Sequence, residues 1–382
     1  MRRLWIIFSQ ATTVCLAVLF VVATLKPEWL PSRAPGTAPV AVLQQEAPAG
    51  NTPVALRPDS HHVAVQKAMP SVVNISTSKE VRLPRNSPLH ELRRFLGDDP
   101  QKTTSLGSGV IVSAGGYILT NNHVVEAADE IEVSLSDNRT LLATVVGSDP
   151  ETDLAVLRVE AKDLPAITFG SSDALRVGDV VLAIGNPFGF GQTVTMGIVS
   201  ALGRSGLGIN VFENFIQTDA AINPGNSGGA LIDGGGNLVG ISTAIFSRNG
   251  GSMGIGFATP VSTARSVLEQ IIKSGAVTRG WIGVELAPLT PALAEAFKLG
   301  SLDGAIIKGV LSDGPADRAG VKPGDILLSI DGKPVADPQA VVNVVAEIAP
   351  GSAAKMKLRR KEQNLELAVT VGRRPRQQAR PE

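Results

Sequence analysis

From Val72 to Ala258 the chain is a succession of short apolar runs, each closed by a turn signal. Gly107-Ser108-Gly109-Val110-Ile111-Val112 meets the turn Ala114-Gly115-Gly116 and restarts as Tyr117-Ile118-Leu119-Thr120. Ile131-Glu132-Val133-Ser134-Leu135 alternates apolar and polar before the turn at Asp137-Asn138. Runs of the same kind follow at Thr144–Gly147, Leu154–Val159, Val180–Gly185, Val194–Val199, Leu238–Ser242 and Gly254–Ala258. Runs this short, rich in Val and Ile and bounded by Gly, Asn and Asp, pair as antiparallel strands. Their spacing predicts an all-β barrel or sandwich, and 40 glycines with only 4% aromatics suit a fold of many tight turns.

Around this block the organisation changes. Arg2 and Arg3 precede a mostly apolar run from Leu4 to Leu25, closed by Lys26. At about 1.5 Å per residue such a helix crosses a bilayer core, and the preceding arginines predict a cytoplasmic N-terminus with the rest of the chain on the other side. Residues 1–25 are therefore expected to be an uncleaved transmembrane anchor. The alternative is a cleaved signal peptide ending near Val21-Val22-Ala23. Either way the remainder faces an extracytoplasmic space. Residues 26–62, punctuated by prolines from Pro27 to Pro58, read as an extended linker. Lys79 to Ser105, with Pro84, Pro88 and Pro100, reads as a long surface loop.

After the strands, Val261, Ala264, Val267, Leu268, Ile271 and Ile272 share one helical face and Gly275 stops the helix. A smaller α+β unit starts at Trp281, with strands at Trp281–Val284, Gly304–Ile307, Asp325–Ile330 and Leu365–Val371 and helices at Pro315–Gly320 and Pro338–Ile348. The expected domains are 63–275 and 279–373, with a basic, frayed tail over 374–382.

Composition excludes several roles. Lys+Arg and Asp+Glu balance at 35 each, so there is no electrostatic case for nucleic acid. The single cysteine, Cys15, permits neither an internal disulfide nor a thiol–metal cluster. No metal or cofactor is implied.

The chemistry lies in three places. Ser227 sits in Asn223-Pro224-Gly225-Asn226-Ser227-Gly228-Gly229, a glycine-rich turn before Ala230-Leu231-Ile232. A nucleophilic serine needs an exposed hydroxyl and backbone N–H groups aimed at the developing oxyanion, and glycine allows that close approach. The same residues also read as plain turn punctuation. His123, unlike His61, His62 and His90, ends a predicted strand, and Asp153 opens the apolar run Leu154–Leu157. In a triad Ser227 attacks, His123 takes its proton, and Asp153 holds the imidazole. The N–H groups of Gly225 and Ser227 would form the oxyanion hole, contributing about 3 kcal/mol each. Gly225-Asn226-Ser227-Gly228-Gly229 also fits the nucleophile elbow of α/β-hydrolases, but that fold places a histidine after the serine and none follows His123. The surviving order belongs to chymotrypsin-like β-barrels.

Thr120-Asn121-Asn122-His123-Val124-Val125, Thr152-Asp153-Leu154-Ala155-Val156-Leu157, Gly185-Asn186-Pro187 and Gln217 to Gly229 together resemble HtrA-family serine proteases. The C-terminal unit resembles that family's PDZ domain, and the anchor, tether and single PDZ domain are most similar to its DegS-type subgroup. The resemblance implies a mainly β, chymotrypsin-like double barrel followed by an α+β PDZ domain, acting as a homotrimer in the bacterial periplasm from a single-pass inner-membrane anchor. It implies the first cut in a membrane-spanning anti-sigma factor, triggered when the PDZ domain binds C-termini of misfolded outer-membrane proteins. By the same resemblance Arg204 is the sensor-loop arginine, although a solvated loop arginine would look the same. Trp281, Ile282, Gly283 and Val284 form the carboxylate-binding loop of the PDZ groove, where Trp281 could equally be a core aromatic. The loop from Lys79 to Ser105 departs from the shortest family members.

Specificity follows from the pocket positions. Where a trypsin-like pocket carries its acid this chain has Ala221, and the family's pocket-lining positions are Ile222 and Ala244. Cleavage after small aliphatic residues is expected. Two other functions compete: a general periplasmic quality-control protease, and a catalytically silent PDZ scaffold that binds C-termini. An intact His-Asp-Ser set argues against the scaffold, because no structural role demands all three.

Overall fold

The computed structural model describes residues 60–80, 102–126, 128–186, 191–245 and 251–375. The expected anchor, nearly all of the linker, Pro187, the middle of the 79–105 loop and the tail beyond Pro375 lie outside the described residues. Among the described residues no helix is long and apolar enough to cross a membrane.

The chain enters through a short helix, α1 (His62–Ala68), which the sequence reading did not anticipate. Its buried residues are only Ala64 and Ala68, with Val65 partly buried beside them, too little for a periodic signal. Strands β1 (Val72–Glu80), β2 (Lys102–Ile111) and β3 (Tyr117–Thr120), the helical turn α2 (Asn122–Val125), and β4 (Glu130–Ser134), β5 (Thr140–Asp149) and β6 (Leu154–Val159) follow. The six strands close in the order β1-β2-β3-β6-β5-β4. One expectation is corrected here: both ends of the 79–105 segment are strand. β1 and β2 pair antiparallel without interruption from Val72↔Val110 to Glu80↔Lys102. Once the pair is in register, each added rung satisfies backbone groups that water would otherwise hold, and this overrides the polar composition.

The second barrel comprises β7 (Val180–Gly185), β8 (Thr193–Arg204), β9 (Phe215–Thr218), β10 (Ala230–Asp233), β11 (Leu238–Ile245) and β12 (Gly256–Pro260). It closes as β10-β11-β12-β9-β8-β7. Close backbone approach is built in at Gly197 on β8, where a Cβ would overlap the Ala220 amide. Helix α3 (Val261–Ser274) then packs Val261, Ala264, Val267, Leu268 and Ile271 inward. It ends at Gly275, whose φ of 74° is a left-handed cap and whose N–H donates to Ile271 O.

Each barrel has its own apolar interior, one around Ile75, Ile118 and Leu157 and the other around Val181, Val199 and Leu231. A third cluster joins them. Leu119, Leu154 and Val156 from the first barrel meet Leu182, Ile184, Ala230 and Ile241 from the second, with α3 alongside. At about 1.5–3 kcal/mol for each large buried side chain, this seam fixes one barrel against the other. The cleft between them is where side chains from both can meet.

The C-terminal domain contains β13 (Gly280–Trp281), β14 (Val284–Pro288), α4 (Pro291–Ala296), β15 (Ala305–Val310), α5 (Pro315–Arg318), β16 (Ile326–Ile330), β17 (Lys333–Pro334), α6 (Pro338–Glu347), β18 (Ala353–Arg360), β19 (Gln363–Thr370) and β20 (Gly372–Arg373). The main sheet runs β14-β15-β16-β18-β19, leaving β14 at an edge. The sequence reading placed no strand at β18, whose lysines obscure its period. Ala354, Met356 and Leu358 in fact alternate inward between Lys355 and Lys357, the period of a half-buried strand. Arg360 closes over the buried Asp325 carboxylate, Nε to Oδ1 at 2.7 Å and Nη2 to Oδ2 at 2.8 Å. These bonds raise the guanidinium's pKa above its ordinary value.

The expected frayed tail is also corrected at its start. Arg374 N–H donates to Arg279 O at 2.9 Å, and its Nε reaches Glu151 Oε1 at 2.7 Å. A carboxylate on the first barrel therefore ties down the end of the second domain, a partnership no local pattern could reveal.

Candidate active site

β3 and β6 are neighbours, with Thr120 opposite Ala155. The residues just past Thr120 and just before Leu154 therefore arrive at the same end of the sheet. His123 lies in α2 and Asp153 immediately precedes β6. Asp153 Oδ2 sits 2.6 Å from His123 Nδ1, and Oδ1 accepts the His123 backbone N–H at 2.9 Å. Asp153 has a φ of 56°, an unusual conformation for a residue with a Cβ. Two bonds to its carbonyl hold it there: Asn122 N–H at 3.1 Å and Asn121 Nδ2 at 2.8 Å. The Asp153 side chain is 13% exposed and that of His123 49%, so a shielded carboxylate backs an imidazole that is itself open to solvent.

Ser227 comes from the second barrel, in the turn between β9 and β10. Gly225 has a φ of 101° and Gly228 a φ of 82°, which a side chain would strain. A Cβ on Gly228 would also strike Ser108 O and Thr120 Oγ1. Asn226 ties the turn internally: its Oδ1 accepts Asn223 N–H at 3.0 Å and its Nδ2 donates to Ala221 O at 3.2 Å. Gly228 N–H donates to Ser242 O at 2.7 Å. Among the described residues the N–H groups of Gly225 and Ser227 donate to no protein acceptor. Among the described residues Ser227 Oγ and His123 share no hydrogen bond. Base and carboxylate are paired, while nucleophile and base are not; such contacts commonly tighten only around substrate.

Ile222 is buried beneath this turn and Ala244 is half-buried on β11. A Cβ on Gly256 of β12 would meet Ile222 Cδ1 at 2.9 Å, so Ile222 fills the space against that strand. Thr195 Oγ1 donates to Ala221 O at 2.9 Å. The side chains at Ala221, Ile222 and Ala244 are thus all aliphatic, with no acid at Ala221.

The matches to known proteins agree with this geometry. Residues 107–241 match a model of the trypsin-like peptidase domain and residues 280–371 a PDZ domain. A probable periplasmic serine endoprotease DegP-like of Hahella chejuensis is 46% identical over 326 residues, spanning 81% of this chain and 69% of that protein. The chain belongs to the HtrA family of serine proteases. The HtrA protease is also similar to the solved structure of the HtrA-type protease AlgWS227A with decapeptide, at 53% identity. That match covers 84% of this chain and 100% of the other, with a TM-score of 0.72. The serine endoprotease from Yersinia pestis is 39% identical, covering 86% of this chain and 100% of that one, with a TM-score of 0.61.

In this HtrA protease the proposed carboxylate loop leads into the free edge of the PDZ sheet. Trp281 pairs with Gly372 in the small sheet and is half-buried, with Gly283 packed against its ring. Gly283 has a φ of 76°. Ile282 O accepts Ala316 N–H and Gly283 O accepts Leu311 N–H, both at 2.9 Å. Val284 begins the edge strand β14, against which α6 packs.

Arg204 ends β8, exposed, with its Nε on Gln217 Oε1 at 2.7 Å. Within this chain the loop after it joins the PDZ domain through other atoms. Gln339 Nε2 donates to Val211 O and Asn343 Nδ2 to Glu213 O, each at 3.0 Å. The buried Glu213 carboxylate clasps the loop by accepting N–H bonds from Leu207, Ile209 and Asn210. The loop then reaches the residues just before Asp153: Phe212 N–H donates to Glu151 O at 3.0 Å and Asn210 Nδ2 to Thr152 O at 3.1 Å. Arg279 adds a second tie, with Nη1 on Asp149 Oδ1 at 2.7 Å and its guanidinium stacked over Phe212. Sequence reasoning missed these residues because an isolated Glu, Asn or Gln carries no motif.

Proposed function

We propose that this HtrA protease is an anchored periplasmic endopeptidase whose PDZ domain controls a His123-Asp153-Ser227 triad. The observation that carries the catalytic half is the His123–Asp153 pair, together with a Ser227 turn that packs against Thr120 and Asn121 at the end of β3 and keeps two N–H groups without a protein acceptor among the described residues. Ser227 Oγ attacks the scissile carbonyl as His123 takes its proton, and Asp153 stabilises the imidazolium. The N–H groups of Gly225 and Ser227 bind the oxyanion. His123 then protonates the leaving amine, and water attacks the acyl-enzyme by the same route.

The regulatory half rests on the bonds from α6 through the 207–213 loop to the residues beside Asp153. A peptide C-terminus captured by Trp281, Ile282, Gly283 and Val284 would add as a strand to β14. It would then press on α6, and so on the loop that Arg204 opens. The similarity to AlgW, solved with a decapeptide, supports this reading. On it, residues 1–25 anchor the chain in the inner membrane, 26–62 tether the protease domain (63–275) and PDZ domain (279–373), 374–382 form the tail, and three copies assemble. The substrate is a membrane-spanning anti-sigma factor and the activators are C-termini of misfolded outer-membrane proteins. The DegP-like names of the relatives favour a second reading, general quality control of unfolded periplasmic proteins.

The full chain in detergent, incubated with the periplasmic part of a candidate anti-sigma factor, distinguishes the two. Cleavage that requires a peptide ending in a hydrophobic residue, with cuts after Ala or Val, is the expected result. Strong peptide-independent cleavage of generic unfolded proteins would favour the second reading. Cuts after Lys or Arg would overturn the role given to Ile222 and Ala244.

A further inference from the structure

Ser108 lies on β2, in the first barrel, yet its bonds go to the nucleophile turn of the second. Its N–H donates to Ser227 O at 2.9 Å. Its Oγ donates to Gly225 O at 2.7 Å and accepts the Asn186 N–H at 2.8 Å. Its own carbonyl accepts Thr120 Oγ1 at 2.7 Å, at the end of the strand that leads to His123. The residue is fully buried, so none of these bonds competes with water.

The two oxyanion donors belong to different peptide planes. The Gly225 N–H lies in the plane shared with Pro224, and the Ser227 N–H in the plane shared with Asn226. Between them is the plane carrying Gly225 C=O. Glycine at 225, with φ of 101°, allows that plane to turn. Ser108 Oγ holds its carbonyl, and Ser108 N–H holds the carbonyl of the plane that follows Ser227.

We propose that Ser108 is a positioning residue for proteolysis, fixing the 225–227 backbone from the opposite barrel so that both N–H groups converge on one oxyanion. This rests on Ser227 being the nucleophile. It makes the joint between barrels part of the transition-state machinery: a shift of β2 against the turn would move the donors without touching His123 or Asp153.

The test uses the full chain, a peptide substrate, and active sites counted by fluorophosphonate titration. For Ser108→Ala, kcat per titrated site should fall about 30-fold with KM unchanged, less than the ~10²–10³ expected when one donor is removed outright. Affinity for a peptide boronate, which mimics the tetrahedral oxyanion, should fall by the same factor. Binding of an uncleaved substrate peptide, measured in the Ser227→Ala background, should not change. Ser108→Cys retains a weak donor and should lie between; it replaces Ser108→Ala in the test if that variant does not fold. Per-site kcat and boronate affinity within about twofold of the unaltered chain would overturn the proposal, since fewer active sites are all a structural role predicts. Undiminished cleavage by Ser227→Ala would instead remove the nucleophile reading on which it rests.

Discussion

Replacing Ser227 by Ala lowers kcat by about 10⁶-fold, replacing His123 by Ala does the same, and the double variant is scarcely worse. Nucleophile and base act as one unit, so removing either ends the covalent route. Losing both forfeits nothing further. The His123 ring is half-exposed and, among the described residues, pairs only with Asp153, so neither truncation opens a core cavity and both variants should fold normally. Peptide hydrolysis with purified full chain, alongside thermal unfolding, checks this. Multiplying losses in the double variant would mean that the two residues act independently, contrary to the triad.

Asp153→Asn should cost about 10⁴-fold in kcat with little change in KM. The side chains have the same shape, and Asn Oδ1 can still accept the His123 backbone N–H now at 2.9 Å. What changes is the group 2.6 Å from Nδ1. An amide NH₂ there donates instead of accepting, which holds the imidazole in the tautomer whose Nε2 carries the proton. Nε2 then cannot take the serine proton, and no carboxylate stabilises the imidazolium. The φ of 56° suits Asn as well as Asp, so the loop should keep its conformation. Comparison of kcat, KM and melting temperature with the unaltered chain separates this from unfolding. A loss below tenfold would show that Asp153 merely shapes the loop.

How much of this was readable in the sequence differs from element to element. The His123–Asp153 contact and the tight turn at Ser227 were legible because their residue types, order and flanking strands leave few other uses for them. The barrel strands were legible through Val- and Ile-rich runs between turns, and α3 through its period. The ends of the 79–105 segment were not, because cross-strand pairing, rather than composition, makes them β. β18 was hidden by lysines that face solvent while Ala354, Met356 and Leu358 face the core.

The connections between domains were least legible. Arg279, Glu213, Asn343 and Arg374 matter through partners far away in the chain, and each alone is an ordinary polar residue. Ser108 shows the same limit within the site. In Gly107-Ser108-Gly109 it reads as a small strand residue, and only the tertiary arrangement places it under the Ser227 turn.

The central claim is that a peptide at the PDZ domain governs the reactivity of Ser227. It is tested most directly by the rate at which a fluorophosphonate labels the full chain, with and without a peptide ending in a hydrophobic residue, followed by mapping of the labelled residue. The account predicts labelling at Ser227 alone, about tenfold or more faster with peptide, a coupling of ordinary allosteric size. Substitution of Gln339 and Asn343, which carry the α6 contacts, should diminish that acceleration. Labelling at Ser227 at one rate regardless of peptide would contradict the control ascribed to the PDZ domain, and absence of labelling at Ser227 would contradict the catalytic reading itself.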